Sequence, residues 1–232
     1  MLILAAVAPA VILLLFFYKV DKFEPEPKRL LFKLYILGML SVIPVLILET
    51  ILTYLNIFTI FDNDLMNLYD ALVVAGFSEE LFKWIIIMIF VFNSHEFDEY
   101  IDGIIYCVFV SLGFATVENI LYVLEGSYSV AITRAILSVP AHMLFGVSMG
   151  YYLSFSKFGK TKKIRNRYMM LSLIVPILLH GGYDYILMSN IPYLLVAFIP
   201  FVIWMWLFNI KKLKLYYNNA KLNSKYRDQI NS

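Results

Sequence analysis

Gly76-Phe77-Ser78-Glu79-Glu80-Leu81-Phe82-Lys83 sits inside an apolar run that extends from Ala71 to Phe92. Three ionisable residues therefore stand where a spanning helix would meet lipid. Each charge near the middle of such a helix costs about 2.5–3.5 kcal/mol, so three together must face one another or a wet cavity. At about 100° per residue, Lys83 falls about 40° past Glu79 and about 60° short of Glu80, which puts the ammonium between two carboxylates on one face. The stretch is expected to form one wall of a polar site within a membrane.

The rest of the chain agrees with that setting. Of 232 residues, 61% are hydrophobic and 16% charged, with a mean hydropathy of +0.77, whereas soluble domains carry about 25% charged residues. The expected fold is an all-α, polytopic bundle of about seven transmembrane helices, one domain over residues 1–210 with a basic tail over 211–232. The spans are read as Leu2–Tyr18, Leu30–Leu55, Ala71–Phe92, Ile104–Leu124, Val130–Phe155, Tyr168–Met188 and Tyr193–Phe208. A lipid bilayer is the partner this composition demands, and nucleic acid is not expected. Cys107 has no partner in the chain, which excludes an intrachain disulfide.

Lys and Arg collect near the cytoplasmic ends of spans. With seven spans, 17 of the 19 basic residues fall on one side, in the Lys19–Lys33 segment, the Lys157–Arg167 loop and the tail. The amino terminus is thus expected outside and the carboxyl terminus in the cytoplasm. The loop with Asp62, Asp64 and Asp70 carries no basic residue, and the turn Ser189-Asn190-Ile191-Pro192 separates the last two spans. The acidic His95–Asp102 segment reads as a solvated turn with carboxylates at a helix amino terminus.

Depth follows from the rise of about 1.5 Å per helical residue. Glu79 and Glu80 lie about 12–14 Å below the outer end of their span, Glu118 about 9 Å, His142 about 18 Å, His180 about 12 Å and Asp184 about 6 Å. Helices running in opposite directions thus carry their buried ionisable groups at similar height, which a shared site requires. At i,i+4, Asp184 can orient His180. Glu49 and Arg134, near outer span ends, read as structural or snorkelling residues. Pro140 and Pro176 predict a local break in the hydrogen-bond ladder of each histidine helix.

Carboxylates, imidazoles and an amide in a partly wet cavity suit peptide hydrolysis. Glu79 or Glu80 can serve as general base toward water, while histidine or Asn119 stabilises the oxyanion. No Gly-x-Ser-x-Gly elbow and no His-Glu-x-x-His motif is present. His142 and His180 with Glu79, Glu80 or Glu118 would supply a His₂Glu zinc site from separate helices. Zinc and a metal-free mechanism both stay open. A transporter is the rival reading, but it predicts an inverted repeat and ionisable groups across the full membrane thickness.

Gly76 to Lys83, Phe97-Asp98-Glu99, Asp102-Gly103, Ser111 to Leu121 with Glu118-Asn119, His142, and Val175-Pro176 with His180-Gly181-Gly182-Tyr183-Asp184 follow one another in this order. This succession resembles the PrsW family of bacterial membrane proteases. It implies a multi-pass protein of the bacterial cell membrane. Such a protein makes the first cut in a single-span anti-sigma factor on its extracytoplasmic side, in response to envelope stress such as antimicrobial peptides. It also implies that Glu79, Glu80 and His180 are needed for activity. The family is distantly similar to CAAX prenyl and bacteriocin-processing proteases. His180-x-x-x-Asp184 fits their second signature, but Lys83 stands one residue before the arginine of their Glu-Glu-x-x-x-Arg, and no phenylalanine precedes His142 by four residues. CAAX-like processing of another membrane peptide is the alternative within this class. On these readings His142, Glu118 and Asn119 complete the site and Lys83 tunes the glutamate pair. The sequence leaves the oligomeric state open.

Overall fold

The computed structural model describes residues 2–55, 63–126, 128–189 and 191–231. Asp62 and Asn190 lie outside them. The helices are α1 (Leu2–Val20), α2 (Lys28–Leu40), α3 (Val42–Tyr54), α4 (Asn63–Tyr69), a π-helix (Asp70–Phe77), α5 (Ser78–Phe90), α6 (Tyr100–Glu125), α7 (Tyr128–Ile136), α8 (Ser138–Lys157), α9 (Lys162–Met188) and α10 (Pro192–Asn231). Among the described residues there is no strand.

Among the described residues, six helical segments are long and apolar enough to cross a membrane. The remaining expected span, Ala71–Phe92, is the π-helix continued by α5, and Glu79, Glu80 and Lys83 make it too charged to count as a lipid-facing span. The chain is a multi-pass, all-α membrane protein. Two expected spans are each divided, at Ser41 between α2 and α3 and at Leu137 between α7 and α8. Pro44 and Pro140 explain where. Each lies in the first turn of the following helix, where a missing N–H leaves no bond unmade. Pro176, by contrast, sits inside a continuous α9, where its missing N–H interrupts the hydrogen-bond ladder without ending the helix. The basic tail is a direct continuation of α10. Met205, Asn209, Lys212, Tyr216 and Ala220, spaced three and four residues apart, are its buried stripe.

α6 is the axis of the bundle. It is apolar on every side, and nearly all of Ile101–Thr116 is buried, as expected for a helix enclosed by others. α8 packs against it where glycine meets glycine: a Cβ on Gly150 would lie 2.1 Å from the Gly103 carbonyl oxygen. Such contact between backbones is how membrane helices gain dispersion energy without a hydrophobic driving force. The outer helices show apolar side chains such as Leu4, Ile12, Val196 and Ile199 at 64–75% exposure, which is the lipid-facing surface.

At the end of the bundle opposite the polar site, the acidic segment is built into the structure. Asp102 Oδ2 accepts the N–H groups of Asp98 (3.0 Å) and Glu99 (2.6 Å) at the start of α6. Asp21 Oδ2 accepts the Glu26 N–H (2.7 Å), and Tyr106 Oη donates to Glu26 Oε2 (2.5 Å). Burial pushes the Asp21 carboxyl up to about 7 and the Glu26 carboxyl up to about 8. At these two groups the folded state therefore binds protons that the unfolded chain has lost, so their contribution makes stability fall as pH rises between about 4 and 8. Thermal unfolding in detergent across this range should show that slope, and Glu26→Gln should flatten it.

Candidate active site

Four elements meet around one point. The first two turns of α5 bring Glu79, Glu80 and Lys83, α6 brings Glu118, α8 brings His142, and α9 brings His180 and Asp184. The π-helix immediately before α5 is the kind of irregularity that concentrates at functional sites. It allows a close approach to α9: a Cβ on Gly181 would meet Leu72 Cα at 2.8 Å. Gly181→Ala must push these elements apart beside His180. It should lower activity at least tenfold with little change in helical content, which circular dichroism beside a cleavage assay would reveal.

Lys83 is fully buried and spends its three N–H bonds inside the site. Its Nζ donates to Glu79 Oε2 at 3.0 Å and Glu80 Oε1 at 2.8 Å, and lies 3.2 Å from His142 Nδ1 and 4.2 Å from the centre of the Phe114 ring. An ammonium can only donate, so His142 Nδ1 accepts and Nε2 carries the proton. That N–H points at Glu118 Oε2, 2.7 Å away. Glu118 Oε1 in turn lies 2.8 Å from Arg134 Nη2. His180 is held on both sides, with Nδ1 3.1 Å from Glu80 Oε1 and Nε2 3.2 Å from Asp184 Oδ2. The Phe145 ring stacks on it at 4.7 Å.

The site opens into a cavity of about 430 Å³ bordered by Glu49, Glu79, Glu118, Arg134, His142, His180 and Asp184. Glu79 borders it and Glu80 does not. Asn119 also stays out of it: its Nδ2 donates to the Ala6 carbonyl of α1 (2.7 Å) and its Oδ1 accepts from Arg134 Nε (3.1 Å). The amide expected to stabilise an oxyanion instead ties α1 and α7 to α6. Arg134, read from sequence as structural or snorkelling, is a cavity residue that also lies 3.9 Å from the Tyr122 ring centre. Glu49, given the same reading, lines the cavity too. Their signal was present in the sequence, since both fall in the outer half with the other ionisable groups.

Donor atoms of Glu79, Glu80, His142 and His180 all lie within 4.8 Å of one another. Two imidazoles and carboxylates suit a zinc-type ion, and each imidazole has its far nitrogen on a carboxylate, the arrangement that fixes a metal-binding tautomer. Glu80 Oε2, buried and without a hydrogen-bond partner, is a further free acceptor. The residues fit a metal. Glu118, on the far nitrogen of His142, stands behind the donor set, and Glu80 takes the place that the sequence reading gave it as an option.

Residues 26–208 match the family model described as PrsW family intramembrane metalloprotease. The chain belongs to the PrsW family. It is similar to Protease PrsW of Clostridioides difficile (strain 630), with 37% identity over 95% of this chain and 93% of that protein. It is likewise similar to Protease PrsW of Bacillus subtilis (strain 168), with 39% identity over 92% of this chain and 94% of the relative. No solved structure matches it. The chain is thus an intramembrane protease.

Proposed function

We propose that this PrsW protease cuts a single-span anti-sigma factor near the extracytoplasmic face, with Glu79 as general base. The observation that carries the reading is that Glu79 alone of the glutamate pair borders the cavity, within 3.8–3.9 Å of the Nδ1 atoms of both histidines. His142, His180 and Glu80 would hold the metal. When bound, it supplies Lewis-acid polarisation of the scissile carbonyl and an acidified water. Glu79 takes the proton of the attacking water and returns it to the leaving amine. Glu118 and Asp184 hold the imidazoles by their Nε2 atoms, and Arg134 fixes Glu118. The clustering of Lys and Arg in three loops supports a reading with the amino terminus outside and the cavity in the outer half of the bilayer, where a juxtamembrane segment of a single-span substrate can enter.

Co-expression with a membrane-anchored substrate of anti-sigma type, followed by mass spectrometry of the fragments, tests this. A new terminus in the extracytoplasmic juxtamembrane segment is expected. A cut on the cytoplasmic side would overturn the assignment of side and substrate.

A further inference from the structure

Two outer helices of the bundle hardly meet. α1 packs on α6, α7 and α8, and α10 packs on α6, α8 and α9, but α1 and α10 do not form a helix pair of their own. Between them runs a groove of about 710 Å³ floored by Leu144 and Val147 of α8, with Phe17 on one wall and Trp206 on the other. The rings of Phe23 and Tyr217, 5.3 Å apart, bridge it at the end where α1 finishes.

That same end carries Lys19 of α1 and Lys214 of α10, the only charged side chains among the described residues lining the groove. Both are exposed, and neither has an ion-pair partner among the described residues. No carboxylate lines the groove. An apolar slot in the bilayer with two unneutralised ammonium groups at its headgroup end has the chemistry of one class of molecule. A second copy docking the same face by twofold symmetry would set lysine against lysine, which is repulsive.

We propose that the groove binds an anionic phospholipid, its acyl chains along the aromatic and aliphatic walls and its phosphate between Lys19 and Lys214. The lipid then serves as the packing partner that α1 and α10 do not provide for each other. A basic residue near an anionic membrane surface contributes about 1 kcal/mol, so two of them correspond to about a tenfold to thirtyfold preference over a zwitterionic lipid.

The test is native mass spectrometry of the full chain with phosphatidylglycerol and phosphatidylethanolamine added in equal amounts. The protein should retain phosphatidylglycerol preferentially, and Lys19→Gln/Lys214→Gln should lose at least about ten-fold of that preference. The control Lys160→Gln/Lys163→Gln removes two exposed charges from the basic loop outside the groove and should keep it. All four positions are exposed, so both variants should fold. An unchanged preference in the groove variant, or an equal loss in the control, overturns the proposal.

Discussion

Replacing Glu79 by Gln is expected to reduce cleavage by about 10²–10⁴-fold, the usual contribution of a positioned general base, while leaving the protein folded. The substitution keeps the shape and one carbonyl acceptor, so Lys83 keeps hydrogen-bond partners at Glu79, Glu80 and His142. What is lost is the group on the cavity wall that can take a proton from water. Glu80→Gln should also impair activity, but by a different route. Glu80 is fully buried and binds Lys83 and His180 rather than the cavity, so its variant should show weaker metal retention as well as slower cleavage. If Glu79→Gln cleaved at the wild-type rate with Glu80→Gln inactive, the roles would be reversed.

Lys83→Met should cause the largest loss of stability of any single change at the site, about 3–5 kcal/mol, because it leaves two carboxylates buried without their cation. Glu79 and Glu80 are 5% and 0% exposed, and the other positive side chain of the site, Arg134, is engaged with Glu118. Adding Glu80→Gln to Lys83→Met should restore part of the loss, a coupling measurable by a double-mutant cycle in detergent. Lys83 also shares its acceptors with the metal donor set. Zinc should therefore stabilise Lys83→Met more than wild type, since a ligand that binds only the folded state raises stability by mass action. Additive effects of the two substitutions, or a Lys83→Met protein as stable as wild type, would remove Lys83 from the centre of the site.

Much of this site was legible before any coordinates. The heights of Glu79, Glu118, His142, His180 and Asp184 along antiparallel helices sufficed to bring them together, because ionisable groups in lipid have few places to go. The i,i+4 relation of His180 and Asp184 and the i,i+3 and i,i+4 relations of Lys83 to the glutamates appear as contacts of 2.8–3.2 Å. What sequence did not reveal depends on partners distant along the chain. Asn119 reads as a catalytic amide until Ala6 and Arg134 are seen to occupy it. Arg134 reads as a snorkelling residue because its depth is near a span end, and only the packing of α7 on α6 turns it toward Glu118. The division at Ser41 was hidden because an unbroken apolar run crosses it, whereas Pro140 marked the one at Leu137, and the π-helix leaves no mark in hydropathy. The helical tail was missed for a related reason: its buried stripe includes Asn209 and Lys212, which look like solvent-facing residues until Ser148 and the rings of Tyr151, Tyr152 and Phe208 are placed around them.

The most direct test of the account is metal content by elemental mass spectrometry on purified protein, wild type beside His180→Ala, with cleavage of a single-span substrate assayed on the same samples. About one divalent metal ion per chain in wild type, lost together with cleavage in His180→Ala, is the predicted result. Full cleavage by wild-type protein stripped of metal with a chelator would contradict it.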